Sequence, residues 1–285
     1  MNHLLCFGFG YSAQTFVAGL HGPSWKISAT SRDAEGIAAI NAQGFHGLLF
    51  DSKLQIAPDV THLLISAPPD ENGDPVLKLF QEQLQRLAKQ LRWVGYLSTT
   101  GIYGDRGGDW VDEDSPLEPT TARGQRRLEA ERSWLRLYSE FSLPVHLFRL
   151  AGIYGPGRNT LLNVRDGSAK RIIKPGQIFS RIHVEDIAGV LAASIAKPNP
   201  GRAYNVCDDE PCPPQEVVEY AANLLGLPVP PEIPFEQAEL SPMAQSFFAD
   251  SKRVSNQRMK NELGYKLRYP NYRKGLLALK SQLMR

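Results

Sequence analysis

The stretch HLLCFGFGYSA, residues 3–13, decides the fold. An apolar run ends in Gly8-Phe9-Gly10-Tyr11-Ser12-Ala13, a GxGxxA match, and a helical pattern follows in which Phe16, Val17 and Leu20 sit one turn from Ala13. Each small residue has a physical task in a phosphate-binding turn. Gly8 permits the tight turn, Gly10 lets backbone approach a pyrophosphate, and Ala13 lets the helix pack closely on the strand. The phosphates then sit at the positive end of the helix. A structural strand–helix turn can carry the same letters, so the reading depends on context.

The context is an alternation. Strand-like segments 26–30, 44–50, 61–67, 93–99 and 144–150 are separated by helical patterns at 33–43, 74–91 and 121–141. Asp33 is placed to cap the first of these helices, and Pro75 lies in the first turn of the second. Strands alternating with helices predict an α/β fold with a doubly wound parallel sheet. After residue 150 the texture changes. A turn-rich segment precedes a helix at 183–196, a strand at 202–208, a helix at 213–226, a Pro-rich connector at 227–235 and a helix at 251–264. This predicts a dinucleotide domain over 1–155, rejoined by 179–208. A smaller α+β substrate lobe would be built from 156–178 and 209–285.

Composition excludes several classes. The chain has 285 residues, 42% hydrophobic and 22% charged, with a net charge of +2. So flat a balance gives no reason to expect a nucleic-acid or membrane-surface partner. Cys6, Cys207 and Cys212 lack CxxC spacing, and the histidines form no HExxH pair, so no metal site is expected. The apolar start is too short for a signal peptide and no run reaches membrane-spanning length, which predicts a soluble cytoplasmic protein.

The cofactor preference is read about twenty residues beyond the glycines, where NAD sites place an acid on the ribose. Here the chain reads Thr30-Ser31-Arg32, and Asp33 better suits a helix cap. Hydroxyls and a forked, permanently charged donor suit a 2′-phosphate, so Ser31 and Arg32 favour NADP(H), with NAD(H) the alternative.

Several stretches in order then resemble one family, the extended short-chain dehydrogenase/reductases, which include nucleotide-sugar epimerases and dehydratases. They are GFGYSA (8–13), STTGIYGD (98–105), WVDEDSPLEP (110–119), RLAGIYGPGR (149–158), FSRIHVEDIA (179–188), YNVCDDEP (204–211) and NELGYKLRYP (261–270). The resemblance implies a Rossmann domain with a small C-terminal substrate lobe. It implies that Thr99 is the catalytic hydroxyl on the reacting oxygen, that Ser66, Ala67 and Pro68 line the cofactor, and that Gly152 and Ile153 flank the nicotinamide. It also implies a YxxxK pair on the following helix, and there the chain departs. Arg123 stands at the tyrosine position and Arg127 at the lysine position, and no Tyr with Lys four residues later occurs between 99 and 150.

Helical spacing places Arg123, Arg127, Ala130, Trp134, Leu137 and Phe141 on one stripe, with Arg126 and Arg132 off it. The two stripe arginines would point inward, Arg127 holding the cofactor ribose and Arg123 clamping an anion or oxyanion. The alternatives are a frayed first turn or a structural carboxylate partner. Arginine does not exchange its proton near neutrality. Tyr11, Tyr103, Tyr154 and His183 are the other proton carriers in or beside matching motifs, each at a position that packing explains equally well.

The expected function is an NADP(H)-dependent oxidoreductase or epimerase with altered proton chemistry. The competing class is a catalytically inactive NADP(H)-binding sensor or regulatory protein. A small-molecule substrate is expected, and Arg158, Asn159 and Arg181 are candidate contacts. The basic content of 158–181 would favour an anion. A homodimer through helices that include 121–141 is a further expectation.

Overall fold

The structure, a computed structural model, describes residues 1–20 and 24–283. The first half runs β1 (Asn2–Phe7), α1 (Tyr11–Gly19), β2 (Trp25–Ser31), α2 (Ala34–Ala42), β3 (His46–Leu49), β4 (His62–Ile65), α3 (Pro75–Leu87), β5 (Trp93–Thr99), a 3-10 turn (Thr100–Tyr103), β6 (Trp110–Val111), α4 (Ala122–Phe141) and β7 (Val145–Leu150). The second half runs β8 (Gly152–Tyr154), α5 (Thr160–Arg165), β9 (Arg171–Ile173), β10 (Arg181–His183), α6 (Val184–Ala196), β11 (Ala203–Val206), α7 (Pro214–Leu225), β12 (Glu232–Pro234), α8 (Pro242–Phe248), β13 (Arg253–Val254), α9 (Gln257–Leu263) and α10 (Tyr272–Leu283).

The central sheet has seven parallel strands in the order β3-β2-β1-β4-β5-β7-β11. Helices cover both faces, so β4 and β7 are buried along their whole length. On one face Ala13, Phe16 and Val17 of α1 pack with Ile187, Val190 and Leu191 of α6. On the other, Phe80 and Leu84 of α3 pack with Ala130, Trp134 and Leu137 of α4. Asp74 ties these last two helices together. One of its oxygens caps α3 through the Val76 and Leu77 amides, at 2.9 and 3.0 Å, and the other accepts from Trp134 Nε1 at 3.0 Å. Strand order reverses between β1 and β4, which opens a crevice at their carboxyl ends.

The segments after β8 that lie outside the sheet build a smaller core of Tyr154, Leu161, Val217, Ala221, Tyr272 and Leu276. Three sequence expectations need correction here. Residues 251–256 are not helical. The Arg253 and Ser255 amides donate to Asp109 and Val111 carbonyls at 2.9 and 2.8 Å, so β13 pairs with β6 and only 257–263 forms a helix. Pairing across the fold overrides local propensity. The Pro-rich connector contains β12, which pairs with β9. Phe141, placed on the buried stripe, is 39% exposed, because the last turn of α4 runs past the sheet.

Candidate functional site

The loop between β1 and α1 carries the glycine motif at the carboxyl end of β1. Gly8 has φ +84, and a Cβ there would lie 3.0 Å from Ser66 Oγ and 3.2 Å from the Ala67 nitrogen. Both the backbone angle and the neighbours therefore require glycine. Thr30 Oγ1 accepts from the Gly8 amide at 3.0 Å, and Ser66 Oγ donates to the Gly8 carbonyl at 2.9 Å, pinning the turn between β2 and β4. Gly10 caps α1 without any side-chain hydrogen bond, and a Cβ on it would meet nothing within 4 Å. The first amides of α1 thus face open space with no acid in the first turn. That is the geometry an anion needs at a helix N-terminus. Ala13 is fully buried against the strand.

A cleft of about 970 Å³ starts here. It takes in Gly10, Tyr11, Ser12, Ala13 and Ser66, passes Thr99, Arg123 and Arg127, and continues past Gly152 and Ile153 into the lobe. The cleft brings together most of the expected site residues. Gly8, Phe9, Ser31, Arg32, Ala67 and Pro68 lie outside its lining. Phe9 packs edge-on against Phe45, and Ser31 Oγ lies 3.4 Å from Asp33. Asp33 caps α2 through the Gly36 amide at 2.7 Å, as its sequence position suggests. Arg32 is exposed beside this cap and has no ion-pair partner among the described residues.

Thr99 ends β5 on the cleft, where its Oγ1 accepts from the Gly101 amide at 3.1 Å. The start of α4 packs tightly against that turn. A Cβ on Gly124 would lie 3.0 Å from the Gly101 carbonyl and 2.8 Å from Pro119. The two stripe arginines then separate. Arg127 is buried. Its Nη1 donates to the Leu97 carbonyl at 2.5 Å, and its guanidinium lies 5.6 Å from the centre of the Tyr96 ring. Arg123 is exposed on the cleft, over the Phe247 ring at 6.0 Å, so it is not buried inward. Although the side chain is exposed overall, partial desolvation against the cleft wall, then the charges of Arg127 and Arg158, lower its pKa from the ordinary value. Arg126 is half-buried and Arg132 exposed.

The other proton carriers are held by packing. Tyr103 donates to Asn205 Oδ1 at 2.7 Å and accepts from Arg149 at 2.9 Å, and burial pushes its hydroxyl up to about 12. Tyr11 donates to the Pro156 carbonyl at 2.9 Å and is likewise pushed to about 12 by burial. Burial raises Tyr154 and lowers His183 to about 4. His183 caps α6 through Nδ1, while its Nε2 and the Tyr154 hydroxyl are buried without partners among the described residues. Asn159 is committed to capping α5, and Arg181 donates to the Phe179 carbonyl and Cys212 Sγ, both at 3.1 Å.

Sequence reasoning missed the contribution of 244–254. Phe247, Asp250 and Lys252 line the cleft. Lys252 Nζ donates to the Gly104 carbonyl at 2.7 Å and pairs with Asp250 at 3.2 Å. No motif marked this segment, because its position depends on contacts distant in the chain, with Gly176 and Gln177 as well as Gly104.

No protein-family model matches the chain. A protein from Silicibacter pomeroyi DSS, described as conserved and functionally unknown, is 54% identical, with both chains covered in full and a TM-score of 0.93. The chain belongs to the same family as that protein. Curated relatives of this family member include protein YeeZ of Escherichia coli strain K12, 28% identical over 95% of this chain and 97% of its own. A 3-diazoavenalumate denitrifying reductase from Streptomyces sp is 28% identical over 60% of this chain and 59% of its own. More distant structures share the fold. The dTDP-glucose 4,6-dehydratase of Bacillus anthracis str. Ames, in complex with NAD, has a TM-score of 0.78 at 19% identity, covering 100% of this chain and 97% of its own. Human epimerase family protein SDR39U1, with NADPH, has 0.76 at 17%, covering 98% of this chain and 99% of its own. The chain therefore shares its Rossmann-like α/β fold with these epimerase and dehydratase structures, and among the described residues no helix is long and apolar enough to cross a membrane.

Proposed function

We propose that the protein binds NADP(H) in the crevice and acts as an NADP(H)-dependent oxidoreductase of the epimerase/dehydratase type on a small anionic molecule. The observation that carries this is the uncapped start of α1 at Gly10, opening at the strand-order reversal onto the same cleft as Thr99. Bound there, the dinucleotide would supply or accept a hydride. The Tyr11 and Ser12 amides would hold its pyrophosphate, Arg32 a 2′-phosphate, and Gly152 and Ile153 the edge of the nicotinamide. Thr99 would donate its hydroxyl hydrogen bond to the reacting oxygen. Arg123 would offset negative charge there without releasing a proton. Arg127, committed to the Leu97 carbonyl, would fix the floor beneath. The reductase activity in the name of the Streptomyces relative supports an oxidoreductase over an epimerase.

One observation favours a second reading, a cofactor-binding sensor. The tyrosines on the cleft are raised in pKa by burial, and Arg123 would stand where the family resemblance expects the proton donor.

The test is a fluorescence titration. NADPH is expected to bind about tenfold or more tightly than NADH, and Arg32→Ala to remove that preference, because a charge-assisted contact contributes about 1.5–3 kcal/mol. Equal affinities in the unaltered protein would refute the role given to Arg32.

A further inference from the structure

Arg123 and Arg158 approach the cleft from different parts of the fold. Arg123 comes from the first turn of α4, and Arg158 from the loop between β8 and α5. Both line the same cleft, with Gly157, Asn159 and Phe247 also on its wall. Neither has a carboxylate partner among the described residues, although the other arginines of the region are committed. Arg127 and Arg181 bond backbone carbonyls, and Arg149 pairs with Glu131 at 3.0 Å. The two carboxylates on the cleft wall are also engaged. Asp250 takes Lys252 and the Thr120 hydroxyl, and Asp166 accepts from the Ser168 amide at 2.9 Å. Both arginines are exposed on the cleft and lack a carboxylate partner among the described residues, so their guanidinium donors are available to an anion.

The surface beside them is apolar. Phe247 is 49% exposed on the cleft, with the Arg123 guanidinium carbon 6.0 Å from its ring centre. Leu162, Ile178 and Phe248 continue this wall. An exposed aromatic ring at a cleft mouth offers stacking area to a flat apolar body.

Resting on the oxidoreductase reading, we propose that the substrate is a carboxylate with a flat apolar body. Arg123 and Arg158 hold its carboxylate from opposite walls, and Phe247 covers the body. Guanidinium forks match a carboxylate's two oxygens, and that match sets the class of ligand.

The experiment is calorimetric titration of the full chain with 3-phenylpropionate and with its uncharged isostere 3-phenylpropionamide, each with and without NADP⁺. NADP⁺ binding is measured first and separately, so that failure of the cofactor site is distinguished from failure of the anion site. The acid is expected to bind about tenfold or more tightly than the amide, the effect of one charge-assisted contact. Arg123→Gln and Arg158→Gln should each bring acid and amide to similar affinity, and Phe247→Ala should weaken both ligands alike. Melting temperature checks that each variant is folded. Neither arginine has a carboxylate partner among the described residues and both are exposed, so intact folding is expected. An acid that binds no better than the amide overturns the proposal. So does an Arg123→Gln protein that keeps the preference, or an Arg158→Gln change that weakens only NADP⁺.

Discussion

Replacing Gly10 by valine is expected to abolish NADPH binding, a loss of more than about hundredfold, while leaving the melting temperature unchanged. The backbone at Gly10 has φ −84, which any residue adopts, and a Cβ meets nothing within 4 Å. The fold has no use for glycine at this position. A ligand phosphate lying on the α1 amides does, because a branched side chain would occupy its place. Gly8→Val should behave in the opposite way. With φ +84 and the Ala67 nitrogen 3.2 Å from its Cβ, the substitution strains the backbone and displaces β4. A stability loss of about 1–3 kcal/mol is expected, read by thermal or urea unfolding. Gly10→Val protein that still binds NADPH normally would show that the pyrophosphate lies elsewhere.

Arg149→Met is expected to cost about 3–5 kcal/mol in urea unfolding, because it strands a buried carboxylate. Glu131 is 1% exposed and Arg149 4%. Their contact at 3.0 Å extends through Tyr103 to Asn205, whose amide donates to Glu113 Oε1 at 2.7 Å. The network ties the turn after Thr99 to β7, β11 and the segment after β6. The double variant Arg149→Met with Glu131→Leu should recover most of the loss, since no charge is then left unpaired. A single variant as stable as the parent would mean that the pair is solvated after all.

What the sequence made legible was local. The glycine loop could be read because φ demands and small-residue packing act within a few positions. The sheet could be read because alternation of apolar runs and helical stripes survives without knowing the partners. The stripe on α4 put Arg127 in register with Ala130, Trp134 and Leu137, and the structure buries all four. The same stripe said nothing of what Arg127 would bond. Its Leu97 carbonyl partner is thirty positions away on β5. Nor could spacing tell that Arg123, one turn earlier, would sit on the open cleft, because Phe247 faces it only through the path of the lobe. Residues 251–256 failed for a related reason. Their helical letters were overruled by hydrogen bonds to 109–111.

The most direct measurement is the crystal structure of the protein grown with saturating NADP⁺. The expected result is a dinucleotide with pyrophosphate oxygens about 3 Å from the Tyr11 and Ser12 amides and the nicotinamide lying between Ile153 and Thr99. A dinucleotide bound elsewhere, or none in the crevice at saturation, would contradict an NADP(H) site at the carboxyl ends of β1 and β4.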